Sequence, residues 1–456
     1  MQLRHKFKLL SIYIRETLFS KLVSVARRTF FTKEGFELTL LTIIIISGPY
    51  SIRFVFDTPY SFILGTYSDF TSISIYLLDF LVIAYISYSV IVRRFSKLLL
   101  IPCFLLIALL ISAFVSRENN TITLYFGIRT IFSIVFGIYI SLSPVLQKYW
   151  RYFIFLIIGL GLSQVAIQLV QFYSQQSTGL ELLGESVLNL PSYGVAKFVA
   201  HGTTFIRGYG TFPHPNILAA YFVIVSLLNL YLFNNTQQFR SRVILGFSYL
   251  VLLIGFALTF SRAGIIALLA GTVIYYAVLV LNRPGWKVVR ETSVVIGLSW
   301  LLVILMFQPL YGTRSNLNDS ANAERNTYNM AGISMILKNP FLGVGQQGSV
   351  LHMEQYTDKQ LAPWEIQPIH NYYLLWVAEW GIAGWGIIGL LLARISREMI
   401  NLFPPRGERP YSTWKIAILG SLFLLFLVDH YFYTIFPMQI LLWGIIGVII
   451  YKYRPN

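Results

Sequence analysis

The stretch Pro368–Gly386, PIHNYYLLWVAEWGIAGWG, sets a histidine and an asparagine at the head of a run that is otherwise aromatic, aliphatic, small or glycine, apart from Glu379. Such a run reads as a bilayer-crossing helix with a polar head, and the chain around it is built from segments of the same kind. Of the 456 residues 56% are hydrophobic and only 12% charged, about half the charge of a soluble domain. Many uncharged apolar runs reach the roughly 20 residues that a hydrocarbon core demands. The composition therefore predicts an all-α, polytopic integral membrane protein. What His370 can do then depends on the face of the membrane it meets.

Working outward, apolar segments fall near 36–56, 70–92, 98–115, 122–142, 152–173, 217–233, 242–259, 263–281, 292–308, 369–393, 412–431 and 435–451. Twelve spans put both termini on one side. With the termini inside, 25 of the 35 Lys and Arg residues lie on the inner side and 8 on the outer, while Arg53 and Arg129 fall within spans. That asymmetry is the signature of cytoplasmic termini. It also explains the net charge of +16 without nucleic acid. Residues 1–35 carry Ile14, Leu18, Leu22 and Val25 at helical spacing among basic side chains, which reads as a cytoplasmic amphipathic helix lying in the interface. Residues 36–456 read as one transmembrane domain. Arg53 is expected to snorkel from the outer end of its span. The lone Cys103 sits in an apolar run, as a small packed hydrophobe would, and offers no disulfide.

Two outer segments are long, about 174–216 and 309–368, the second lying between the ninth and tenth spans. Long connections without a fold of their own are usually functional. The second holds a helical stretch, Asn326–Lys338, stopped by Asn339-Pro340 and followed by the glycine-rich FLGVGQQG. His370 stands where this loop meets the tenth span. On a continuous helix Gly381 and Gly384 follow by about three and four turns, near the histidine's stripe. Small residues there would let a helix or lipid chain lie close beneath the imidazole. The alternative is a wet helix end with glycines that only pack helices.

Three arginines share the outer side. Arg207 lies in FIRGYGTFPHPNILAAY, Arg262 in LTFSRAG and Arg325 in NAERNTYNMAGISMILKNPFLGVG. Guanidinium forks suit diphosphate oxygens, though arginines at these depths also snorkel to headgroups. Arg129 is an intramembrane cation, which costs a few kcal/mol if left alone. It either adds charge to an outward-facing pocket or pairs with Asp79 or Glu379. His214, between two prolines, reads as part of a turn before a helix capped by Asn216. His430 beside Asp429 is a weaker polar pair. No HExxH, DxD or Cys/His cluster stands in the outer loops, so no metal is expected, and no phosphate-binding glycine loop calls for a nucleotide or other cofactor.

At these residues the sequence resembles the O-antigen ligase and O-antigen polymerase superfamily of membrane glycosyltransferases, whose fold is GT-C-like. The similarity covers about residues 200–390. His370-Asn371, then Gly381 and Gly384, fits the family's histidine motif. GTFPHPNILAAY, SRAG and ER…NPFLGVG are similar to its other segments, with His214 standing where small or polar residues are more usual. The resemblance implies His370 as base, and Arg207, Arg262 and Arg325 as contacts of a diphosphate, with Arg129 a further candidate. Asn371, Gly381, Gly384, His214 and Asn216 would support them. It implies an undecaprenyl-diphosphate-linked glycan as donor and a glycan or lipid-A core as acceptor, at the outer face of the bacterial cytoplasmic membrane, among membrane lipids. A competing class is a secondary transporter or channel for an anionic solute, but such proteins gather their polar groups near the midplane, often in repeated halves, and no repeat is evident here.

Overall fold

The computed structural model describes residues 32–93, 97–115, 120–192, 194–282, 284–311, 319–386, 389–390, 393 and 413–450. The segment 1–31, where the amphipathic helix is expected, and residues 394–412 lie outside the described residues. Helices dominate: α1 (Lys33–Ser47), α2 (Leu77–Val92), α3 (Leu100–Val115), α4 (Asn120–Ile140), α5 (Trp150–Ser174), α6 (Pro215–Asn234), α7 (Phe239–Leu258), α8 (Arg262–Leu281), α9 (Trp286–Tyr311), α10 (Asp319–Lys338), α11 (Tyr372–Trp380), α12 (Thr413–Phe426) and α13 (Phe436–Ile450). The helices α4 to α9 are long and apolar enough to cross a membrane, and α2, α3, α12 and α13 are shorter apolar helices. The protein is a helical membrane protein.

The helix α6 is the axis of the bundle. His214 caps it, Pro215 stands at its first position, and its residues are buried from Ile217 to Phe233. A helix apolar on every face belongs inside, and α6 packs against α5, α7, α8 and α12. Glycines set the close crossings. A Cβ on Gly271 of α8 would meet Ser421 Oγ of α12 at 2.1 Å, and one on Gly447 of α13 would meet the Gly137 carbonyl of α4 at 2.3 Å. With no hydrophobic gain available between helices in lipid, such close approach supplies van der Waals contact instead.

Buried ion pairs tie the first helices together. Arg93 pairs with Glu37, which also accepts from Ser143 Oγ at 2.5 Å. Arg129 pairs with Asp79 and donates to the Ser74 carbonyl at 2.6 Å.

The expected span 36–56 is shorter than the apolar run suggested. Gly48-Pro49 ends α1, because proline cannot continue a helix. The chain then forms two hairpins, β1 (Arg53–Phe56) against β4 (Ile73–Tyr76), and β2 (Phe62–Ile63) against β3 (Thr66–Tyr67), before α2 begins. Aromatic and β-branched residues there favour strand over helix. Arg53 does not snorkel alone; it pairs with Asp69 at 2.7 Å across the hairpin. A third hairpin, β5 (Lys197–Ala200) with β6 (Thr203–Ile206), occupies the 174–216 segment. The all-α expectation thus needs three small hairpins added between helices. Cys103, expected to be packed, is exposed on α3. The helix read at 326–338 begins earlier, at Asp319, and ends at Lys338 as expected.

An apolar cavity lies among α1, α4, α5, α6, α12 and α13. At one end stand Pro49, Phe212 and Pro437; at the other, Trp150 and Trp414 stack with centroids 5.0 Å apart.

Candidate functional site

His370 lies two residues ahead of α11, in the connection before the helix. Asn371 caps that helix by accepting from the backbone amides of Tyr373 and Leu374, both at 3.0 Å, and its own amide donates to the Leu427 carbonyl at 3.2 Å. The imidazole Nδ1 sits 2.9 Å from the Pro368 carbonyl oxygen. A carbonyl only accepts, so Nδ1 carries the proton and Nε2 presents its lone pair. Tyr328, one turn beyond Arg325 on α10, stacks on the ring at 5.2 Å, and its hydroxyl is held by the Glu365 carbonyl at 2.6 Å.

The connection from α12 to α13 completes the cluster. The His430 ring stands edge-on to His370 with centroids 4.8 Å apart, and Phe70, between β3 and β4, stands against it at 5.5 Å. Asp429 Oδ1 accepts from the His430 amide at 3.0 Å, and His430 Nδ1 lies 2.9 Å from the Thr434 hydroxyl. One ligand atom each from His370, Asp429 and His430 lies within 4.8 Å of the others, a group able to hold a metal ion. No motif announced it, because His370 and Asp429 are 59 residues apart in sequence.

The start of α6 supplies the third side. The Asn216 amide donates to His214 Nδ1 at 3.1 Å. The capping side chain is therefore His214, in place of the expected Asn216. That leaves Asn216 to bridge: its oxygen accepts from Arg207 at 2.7 Å, and its nitrogen donates to Asp429 Oδ2 at 3.4 Å. Because His214 Nδ1 accepts, its neutral ring carries the proton on Nε2. His214 and His370 are thus opposite tautomers, one a donor at Nε2 and the other an acceptor.

Electrostatics follow from burial. Burial first, then Arg207, His370 and Arg325, push the His214 pKa down to about 3. His430 lies well below its ordinary value through burial, His370, His214 and Arg325. His370 is lowered by burial, and by Arg325, against the opposing pull of Asp429 and the Pro368 carbonyl. All three rings are neutral at pH 7, which suits proton acceptance by His370.

The sequence candidates therefore divide. Arg325 bears electrostatically on all three histidines. Arg207 is buried beside His214, with Nε donating to the Thr259 carbonyl at 2.7 Å. Arg262 is exposed at the first position of α8, three residues after that carbonyl, behind a Ser261 cap. Arg129 follows its pairing alternative: Asp79 holds it, and the rings of Tyr76, Tyr125 and Phe436 surround it at 4.6–4.9 Å.

Glu379 is not its partner but accepts from Ser349 and Tyr433 at 2.6 and 2.7 Å. Gly381 and Gly384 do not lie along an open helical stripe. The helix α11 stops at Trp380, Gly381 turns the chain with φ +55°, and its missing Cβ admits the backbone of Phe341–Gly343. Gly384 is pressed on the Trp376 carbonyl. These glycines pack protein against protein.

Residues 247–389 match the O-antigen ligase family. The matched segment contains Arg262, Arg325, His370, Gly381 and Gly384; Arg207, His214, Asn216, Asp429 and His430 lie outside it. The match supports the O-antigen ligase and polymerase superfamily, and with it a glycan-transfer role in the membrane in polysaccharide biosynthesis. No curated protein matches the chain.

Proposed function

We propose, on the premise that residues 247–389 are a domain of the O-antigen ligase and polymerase superfamily, that the protein moves a glycan from an undecaprenyl-diphosphate carrier to an acceptor hydroxyl. The acceptor is a lipid-A core or a second lipid-linked glycan, and the site faces outward from the bacterial inner membrane, with both termini in the cytoplasm. The observation that carries this reading is the fixed tautomer of His370: Nδ1 is tied to the Pro368 carbonyl, which leaves Nε2 as the acceptor on a ring that Asp429 and Arg325 both act on.

In this mechanism Arg325 and Arg207, with Arg262 at the adjoining turn, hold the diphosphate, and His214 donates its Nε2 proton as a hydrogen bond. As an acceptor oxygen attacks the anomeric carbon, its O–H bond breaks and the proton passes to His370 Nε2. The bond from that carbon to the phosphate oxygen breaks, and its electron pair leaves on the diphosphate. One in-line displacement inverts the carbon, and no metal enters the step. Asp429 steadies the imidazolium until it passes the proton to the departing diphosphate or to water. A preorganised donor to the growing negative charge lowers the barrier by about 3 kcal/mol, and a positioned base contributes roughly 10²–10⁴-fold.

The apolar cavity supports the donor assignment. Phe212 in its lining belongs to the loop that carries Arg207 and His214, and Pro437 and Met438 follow the Asp429–Thr434 segment after two residues. From Pro437 to Val448 along α13 it runs about 16 Å, about half of a hydrocarbon core. Its apolar lining suits the proximal part of a polyprenyl chain.

Purified protein given a defined polyprenyl-diphosphate glycan and separate candidate acceptors tests the reading. Transfer with release of the polyprenyl diphosphate is expected. Absence of transfer to any acceptor, together with unchanged surface glycans and altered anion uptake in a deletion strain, would replace the enzyme with a transporter.

A further inference from the structure

We propose that His370, Asp429 and His430 form a reversible inhibitory site for a borderline-soft divalent transition metal such as Zn²⁺, which competes with the substrate proton for His370 Nε2. Two imidazoles and a carboxylate are a donor set that such ions prefer and that Mg²⁺ does not. Their ligand atoms already lie within 4.8 Å of one another. Coordination at about 2.0–2.1 Å would draw them to about 3.3 Å apart, a contraction within reach of a carboxylate rotation and small ring tilts.

The second observation concerns the other side of each ring. The Nδ1 atoms of His370 and His430 each have an oxygen at 2.9 Å, the Pro368 carbonyl and the Thr434 hydroxyl. Metal-ligating histidines show this outer arrangement, because it turns Nε2 toward the ion and raises its basicity. The Thr434 hydroxyl accepts from Nδ1–H when the ion is bound. The cluster is also closed by rings, Tyr328 stacked on His370 and Phe70 against His430, so solvent competes little for the ion.

The charges nearby argue against a permanent cofactor. Arg325 bears on both imidazoles, and Arg207 is joined to Asp429 through Asn216. Two cations beside a dication weaken its binding, so the ion is exchangeable. While it is bound, the lone pair that would take the acceptor proton is occupied.

The inhibition, though not the binding, rests on the reading of His370 as base, and the two are measured separately. Metal-stripped, tag-free full chain in nanodiscs is titrated with Co²⁺ by absorption and with Zn²⁺ by calorimetry, Mg²⁺ serving as control. One equivalent of Zn²⁺ and a tetrahedral Co²⁺ spectrum are expected. His430→Gln should weaken binding at least about tenfold, and Thr434→Val, which keeps all three ligands, by roughly 10–100-fold. In transfer assays the rate should fall with the same midpoint as binding and recover on chelation. His430→Gln should move that midpoint upward relative to its own zinc-free rate.

Sub-stoichiometric binding, or affinity unchanged in both His430→Gln and Thr434→Val, overturns the site. Stoichiometric binding with undiminished transfer, or transfer that requires the ion, overturns the inhibition. Failure of the base reading would show instead as transfer that survives in His370→Ala, with zinc binding in the parent protein unaffected.

Discussion

The protein holds charge in two different ways, around Arg129 and around His370. Arg129 has Asp79 as a counter-ion, the Ser74 carbonyl as an acceptor and three aromatic rings about it. Every part of that guanidinium answers to something in its own fold. Around His370, three neutral imidazoles, one carboxylate and two arginines converge with like charges close together. Arg325 pushes all three histidines toward the uncharged state, and His370 pushes His214 and His430 the same way. The contrast shows that a buried charge inside a membrane is not by itself a site. A charge with a dedicated partner staples helices, whereas groups brought together against their own electrostatics are ready to receive a ligand.

The largest test of that contrast is His370→Ala, which should lower transfer by about 10²–10⁴-fold and leave membrane abundance and the melting profile unchanged. Transfer assays at matched protein levels check it. Arg129→Met should do the reverse. An unpaired Asp79 would destabilise the fold by about 3–5 kcal/mol, whereas Arg129→Met with Asp79→Leu should recover most of the loss; thermal unfolding in detergent reads both. If Arg129→Met kept its stability and lost only activity, the two regions would not differ in kind. Asp429→Asn sharpens the comparison from the other side. Removing the charge beside the imidazolium should cost about tenfold in rate, one pKa unit's worth, with little effect on folding. The smallest effect belongs to Asn371→Ala, which removes the cap of α11 and should lower stability by about 1 kcal/mol, measured by thermal unfolding.

Local features of the chain were read correctly where local physics decides them. The end of α10 follows from Asn339-Pro340 and the apolar helices from their hydrophobic runs, whereas the cap of α6, expected at Asn216, is His214. The errors came where neighbours decide. An apolar run through residue 56 looked like one span, but Gly48-Pro49 broke it and β1 found β4 across sixteen residues of loop and hairpin. The spacing of His370, Gly381 and Gly384 looked like a helical stripe. It failed because α11 ends after nine residues and the glycines receive the Phe341–Gly343 backbone. Asp429 and His430 were visible as a polar pair, but nothing in a linear reading sets them against a ring 59 residues earlier.

By itself the amino-acid sequence determined the solvent this protein folds in, where its apolar helices lie, and that His370 and the arginines stand at their ends or in the connections. Those follow from hydrophobicity, charge and capping, which act over a few residues. Only the tertiary structure decided which groups meet: Arg129 with Asp79, His214 as the cap that releases Asn216, and Asp429 and His430 beside His370. Such pairings depend on how helices cross, and the crossings are set by shape at glycines such as Gly137, Gly271 and Gly447, far along the chain from the residues they bring together.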